Sequence, residues 1–508
     1  MVLGLLTACS SSNDSTGSTG ASPSSSDEPD LEATLRWAAI GDGGGNYDPH
    51  TANNPGSTQY LTPAYDRLTY LDPDGKLQPM LATQWTTSAE GKALTFQLRP
   101  NVTFHDGGRF DAAAVKANIE RGKTLDRSAV RPDLASIDTV DVVSDVEVRF
   151  NLSSPNAALA AILSDRPGMM ISPAAFSNPD LGLKPVGAGP FKVVQIQPGS
   201  LLVFERYDGY WNKDAQRVKR IEMTMQLDSD TRMRSLTSGQ ADAMLLFSDQ
   251  LDAVRKAGLV VGEAPTVPQV QMLFLNKTRA GLDKPEVRSA ISHAIDREGI
   301  SAALFDGKCR PTSQPFSSDG PYADPQTKVD TYDPNLSKQL LARAGVPNGF
   351  EFEAVMANVS WLVAEAEAVQ AQLAKVGIRF KLSPLEPAQV IGRFVTEKSA
   401  DAWFSALQSQ VDPAKTVNHA MLAASVYNPG GFQNATIAGL APQGVATVDA
   451  TARNRVYQQI STAFAGDTFN LAICSLPTFF GSAQKVHGLR PNLTNTFDLR
   501  EVWIGKGK

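Results

Sequence analysis

His50, His105, His293, His419 and His487 are the chain's five imidazoles, and no two stand three or four residues apart. A helical metal pair needs that spacing, so no metal site is expected from them. Cys9, Cys309 and Cys474 are too few for a multi-cysteine zinc site. The chain has no Gly-x-Ser-x-Gly elbow and no His-Glu-x-x-His. Gly122-Lys123-Thr124 ends like a phosphate loop, but Ala117 stands where that loop needs glycine, and a helix C-terminus is the plainer reading. Gly41-Asp42-Gly43-Gly44-Gly45 is followed by Asn46 where a dinucleotide loop has its last glycine, with no downstream acid in a strand–loop–helix context. Asp72-Pro73-Asp74-Gly75 is a turn sequence without the remaining ligands of a calcium loop. No catalytic residue, no metal and no cofactor is expected.

Composition narrows the remaining classes. The 508 residues are 42% apolar and 20% charged, with 47 basic against 53 acidic residues and a net charge of −6. Such a chain is an ordinary globular protein of about three domains. It has no basic run for a nucleic-acid partner. It also has no stretch of roughly 18 apolar residues that would span a bilayer.

The N-terminus assigns a compartment. Leu6-Thr7-Ala8-Cys9 resembles a bacterial lipobox, in which the cysteine thiol receives the lipid. The cationic start of a signal peptide is missing, so residues 1–9 read as a truncated lipoprotein signal. Residues 10–26 hold nine serines with Thr, Gly and Pro, and residues 10–30 read as a flexible tether. Lipidation at Cys9 would hold a folded body on the outer face of the cell membrane without spanning it. In that oxidising compartment Cys309 and Cys474 either form one disulfide across a long loop or remain two buried thiols.

The elements that must position any site follow from periodicity. Leu94, Phe96 and Leu98 alternate as a strand, and Asp111 can cap a helix through Val115 and Ile119. Ser144-Asp145 and Pro198-Gly199-Ser200 read as the turns of two hairpins. Ile221, Met223, Met225 and Leu227 alternate as a strand, a helix follows over 231–237, and 243–247 returns as an apolar strand. Further on, Phe350, Phe352, Ala354 and Met356 alternate. Leu362, Ala366, Val369, Leu373 and Val376 then follow at helical spacing, and Ile378, Phe380 and Leu382 alternate again. Strand, helix and strand over about 33 residues make a βαβ unit with parallel strands.

Several motifs occur in a fixed order. They include Tyr65-Asp66-Arg67-Leu68, Pro79-Met80-Leu81-Ala82 and Trp85, then Leu94-Thr95-Phe96-Gln97-Leu98-Arg99 and Val102-Thr103-Phe104-His105-Asp106-Gly107. Gly187-Ala188-Gly189-Pro190-Phe191, Tyr207-Asp208-Gly209-Tyr210-Trp211, Ser238-Gly239-Gln240-Ala241-Asp242 and Ala294-Ile295-Asp296-Arg297 come later. As an ordered set, spanning residues 31 to about 505, they resemble the family 5 (cluster C) extracellular solute-binding proteins of ABC importers. These are receptors of the oligopeptide, dipeptide and nickel type.

The resemblance implies an α/β fold of the periplasmic-binding-protein-like type II: two lobes with a hinge and an extra inserted subdomain, three domains in all. Domain I would combine 31–73, 187–274 and 483–508, domain II would be 74–186, and domain III 275–482, with crossings near 274 and 483. The implied function is capture of a peptide or other small solute by hinge closure, with delivery to the transmembrane subunits of an ABC permease by a monomer.

In peptide-binding relatives an aspartate a few residues before an Asp-Pro or similar pair holds the ligand's α-ammonium. Counting back from Asp412-Pro413, that position is Ser409, which carries no charge, so an ordinary free N-terminal peptide is a poor fit there. Gln408, Ser409 and Gln410 are expected to line the cleft, joined by Asn46, Tyr47, Phe247, Trp403, Tyr427 and Phe432. Trp361 reads equally as core or ligand platform, and Arg393 and His419 are weaker candidates. Two other classes remain open: a receptor-fold surface protein with a signalling or chaperone-like role, and a secreted hydrolase.

Overall fold

The structure is a computed structural model that describes residues 28–41, 44–52 and 55–506. The lipobox with Cys9 and nearly all of the tether lie outside the described residues. Three sheets organise the rest. The first runs Val260–Glu263, Phe479–Ser482, Ala243–Leu246, Thr34–Ala39, Arg220–Met225, Leu201–Arg206, Phe191–Gln197 from edge to edge. Its central strand, Thr34–Ala39, is parallel to both Arg220–Met225 and Ala243–Leu246. The second sheet runs Arg310–Pro311, Leu471–Leu476, Gln269–Leu275, Ala402–Gln408, Glu351–Ala357, Arg379–Leu385. Its last three strands are parallel, as the βαβ reading requires. The third is antiparallel, in the order Ala82–Thr87, Ala93–Leu98, Glu147–Leu152, Ile137–Ser144.

Each sheet has its own core. Leu35, Trp37, Tyr65, Phe191, Phe204 and Ile221 fill the seven-stranded unit, and Phe96, Phe104, Phe110, Ile119 and Phe150 fill the four-stranded one. Alternating side chains give the six-stranded sheet two apolar faces. Val270, Met272 and Phe274 point to one, and Leu273 and Leu275 to the other. The helix Ser360–Ala374 covers the second face with Leu362, Ala366, Val369 and Leu373, each worth about 1–3 kcal/mol of burial. That same cluster continues into Leu236, Leu246, Leu251 and Phe479 of the other lobe, so apolar packing runs unbroken from one lobe to the other.

Cys309 and Cys474 form a disulfide across 165 residues, with Cα atoms 5.3 Å apart. It fastens the short edge strand Arg310–Pro311 to Leu471–Leu476.

The chain changes sheets earlier than the motif positions suggest. Gln269–Leu275 lies wholly in the six-stranded sheet and Phe479–Ser482 in the seven-stranded one. The crossings are therefore 264–268 and 477–478, not 274 and 483. The inserted unit is also shorter, because Met169, Ile171, Ala175 and Leu181 pack in the seven-stranded core. Uniformly apolar segments such as Gln269–Leu275 fit either lobe by pattern alone, so only pairing decides their place.

Candidate functional site

Parallel strands put their carboxyl ends on one side, where the following loops are free to carry ligand chemistry. In one lobe these ends lead into residues 40–46, into Gln226 and Leu227, and into Phe247. In the other, Glu351–Ala357 leads to the helix Ser360–Ala374, and Ala402–Gln408 leads to the helix Pro413–Ala420, whose first turn the Asp412 side chain caps. The two edges meet. The Phe247 and Trp361 rings stack across the lobes, with centroids 5.9 Å apart and planes at 27°.

Around that stack the protein holds nitrogen donors that it does not use. Arg232 is fully buried on the helix Ser229–Thr237, with its guanidinium 5.9 Å from the Phe247 ring. Its Nη1 donates to the carbonyls of Gln226 and Leu227 at 2.7 and 2.8 Å, but its Nε has no partner. The Trp361 Nε1 is also buried and unpaired, as is Nη1 of Arg166.

Arg166 adjoins a charged junction of all three domains. Lys415 Nζ meets Asp133 Oδ2 at 2.9 Å, and Thr58 Oγ1 donates to Asp165 Oδ1 at 2.9 Å. Burial pushes the Asp165 carboxyl up, but the Lys415 and Arg166 charges outweigh it and hold it below the usual carboxylate range. Burial and the Lys415 charge lower the His419 imidazole. A buried donor without an acceptor costs about 1–3 kcal/mol. Two of them flank the Phe247–Trp361 stack and the third lies at the three-domain junction, and all three suit a guest rich in acceptor oxygens.

The sequence-predicted residues divide. Gln408, Ser409 and Gln410 sit together at the seam. Gln408 Nε2 donates to Gln269 Oε1 at 2.9 Å, the Ser409 N–H donates to the Pro268 carbonyl at 2.6 Å, and Gln410 Nε2 reaches the Gln408 carbonyl at 3.4 Å.

Asn46 and Tyr47 are committed elsewhere. Asn46 Nδ2 donates to Thr51, its Oδ1 accepts from the Asp48 N–H, and it presses on Gly182, where a Cβ would lie 2.5 Å from Oδ1. Tyr47 is in the seven-stranded core, and its N–H donates to the Gly182 carbonyl.

Trp403, Tyr427 and Phe432 lie at the opposite end of the six-stranded sheet. Trp403 is second in its strand, five residues from Gln408, or roughly 16 Å at about 3.3 Å per residue. It packs on Phe274 and Tyr427 at 5.3 and 5.1 Å, and Phe432 packs on Phe469 at 5.5 Å. These three aromatics are scaffold, because closeness in sequence to Gln408 is not closeness in space. Arg393 is not available to a ligand carboxylate, since its two terminal nitrogens grip Glu353 at 3.1 and 3.0 Å. Among the described residues no group of three or more His, Cys, Asp or Glu is arranged to hold a metal.

Arg166, Arg232, Lys415 and Glu365 are seam residues that pattern reasoning missed. Only Glu365 left a signal, as a charge within the apolar stripe Leu362, Ala366 and Val369.

The profile of the bacterial extracellular solute-binding proteins, family 5, matches residues 76–428, more than half the chain. This chain belongs to that family. Family 5 proteins are the substrate-binding proteins of ABC importers, of solute-binding rather than catalytic type.

The family 5 chain is 29% identical over 421 residues to the glutathione-binding protein GsiB of Pectobacterium atrosepticum, covering 80% of this chain and 82% of that one. Among solved structures it resembles NikA from Brucella suis in complex with Fe(III)-EDTA, with TM-score 0.83, 25% identity, and coverage of 93% and 100%. It also resembles the periplasmic binding protein DppA from Helicobacter pylori in complex with the peptide STSA, with TM-score 0.82, 22% identity, and coverage of 94% and 99%. The fold is thus the type II periplasmic-binding-protein fold with two lobes.

Proposed function

We propose that this family 5 protein is the extracytoplasmic receptor of an ABC importer, a monomer anchored to the outer face of the membrane through a lipid on Cys9. It captures a small acceptor-rich organic solute of the peptide or peptide-like class between its lobes and passes it unaltered to the permease. The observation that carries this reading is the set of buried, unpaired donors at the seam: Arg166 Nη1, Arg232 Nε and Trp361 Nε1. A guest carboxylate or carbonyl would satisfy them as charge-assisted or neutral hydrogen bonds.

The glutathione-binding relatives support a guest of this size and carboxylate content. Closure over such a guest needs only that it prefer the closed state by a few kcal/mol, which leaves release within reach of a partner. Ser409 argues against a peptide whose ammonium is held at the strand end. Native mass spectrometry of freshly purified protein tests the reading. A retained solute bearing carboxylates is expected, whereas a turned-over product, or no stabilising solute in a broad thermal-shift screen, would defeat it.

A further inference from the structure

The helix Ser360–Ala374 begins at the cleft edge and turns Leu362, Ala366, Val369 and Leu373 toward the sheet. Glu365 interrupts this apolar stripe. It is fully buried, and neither carboxyl oxygen has a hydrogen-bond partner. Gln271 is also fully buried with both amide atoms unpaired. It is third in its strand from the cleft end, on the sheet face of Leu273 and Leu275 that this helix covers.

Glu365 stands one helical turn after Trp361, so the two side chains share a face with Cβ atoms about 5–6 Å apart. Trp361 in turn reaches across to Phe247. An acid with no donor in so apolar a setting weakens the fold, and Leu would pack there better. Its position one turn behind Trp361, whose indole nitrogen is itself unpaired, gives it a use that packing does not.

We infer that Glu365 receives the cationic nitrogen of the ligand and is the cleft's specificity-determining acid. The guest is then a zwitterion. Its anionic end meets the Arg232 and Trp361 N–H groups, and its ammonium passes behind the Trp361 indole, where the Glu365 carboxylate accepts from it. This inference rests on the reading of the seam as a solute site.

The test uses the full chain at neutral pH. Glutathione, free amino acids and di- and tripeptides are screened by thermal shift, each beside its N-acetylated form, and the binders are measured by calorimetry. In the wild type, acetylation of the amine is expected to weaken binding about tenfold or more, the worth of a charge-assisted contact. In Glu365→Gln that ratio should fall close to one, while Ser409→Ala should leave it unchanged. Glu365→Leu, which suits the surrounding stripe, gives the same readout if the glutamine variant does not fold. Equal binding of free and acetylated solutes by the wild type overturns the inference and leaves the receptor reading intact, as does an undiminished ratio in the Glu365 variants. If no solute in either set stabilises the wild type, the receptor reading fails and the inference falls with it.

Discussion

The two ends of the six-stranded sheet solve opposite problems. At the end away from the cleft, the buried cations Arg288 and Lys277 are answered. Arg288 is fully buried, yet its three nitrogens donate to the carbonyls of Leu282, Asp283, Asp467 and Thr468 and to the Asp467 carboxylate at 2.8 Å. Lys277 lies 3.9 Å from the Phe469 ring centroid and donates to Asn470, and burial pushes its ammonium well below the usual lysine range. At the cleft end, Trp361, Glu365, Gln271 and, across the seam, Arg232 leave polar atoms unanswered. A closed end contributes stability. An open-valenced end gives some up, and on the proposed reading a guest would supply the missing partners.

The comparison breaks most readily at its largest contrast. Arg288→Met should cost about 3–5 kcal/mol in chemical denaturation, because it strands the Asp467 carboxylate and several carbonyls. It should leave the solute preference of the folded fraction unchanged. Trp403→Ala should cost a similar roughly 3–5 kcal/mol by opening a cavity among Phe274, Phe394 and Tyr427, again without altering selectivity. Trp361→Ala is the mirror case. The melting temperature of the unliganded protein should move less than in Trp403→Ala, while calorimetric affinity for any captured solute should fall about tenfold or more. Matching stability losses in the two tryptophan variants would erase the distinction between the ends.

A subtler effect separates the ends by pH. In the unliganded protein burial pushes the Glu365 carboxyl up from 4.5 to about 8, and a bound ammonium would draw it back down. The folded state therefore keeps a proton that the unfolded chain releases, and this contribution to stability is lost as pH rises through that window. Glu365→Gln should flatten the decline in melting temperature between about pH 5 and 8 and be the more stable protein at the alkaline end. The smallest effect belongs to Gln408→Ala. It removes one half-exposed contact to Gln269 and should shift stability by less than about 1 kcal/mol.

Much of the scaffold could be read in advance because local periodicity and tertiary burial agree there. Leu94, Phe96 and Leu98 alternate and are buried in Ala93–Leu98, and the Leu362-to-Leu373 stripe is the buried face of its helix. The site was only partly legible. The place of Gln408 to Gln410 at a strand end could be read from the chain, but Arg166 and Arg232, which the proposed site adds, look like any other arginines. What marks them is a missing partner, and a missing partner is a property of three dimensions. Trp403, Tyr427 and Phe432 failed for the converse reason: a strand carries its residues away as fast as it orders them.

The two crossing segments are not independent tethers. The Ala264 N–H of one donates to the Thr478 carbonyl of the other at 2.8 Å, and Thr478 Oγ1 is held in turn by the Asn495 side chain at 2.8 Å. Stitched side by side, they form a single spine about which the halves would swing like the covers of a book. A swing about that spine would present the same pair of pages to a solute at each encounter.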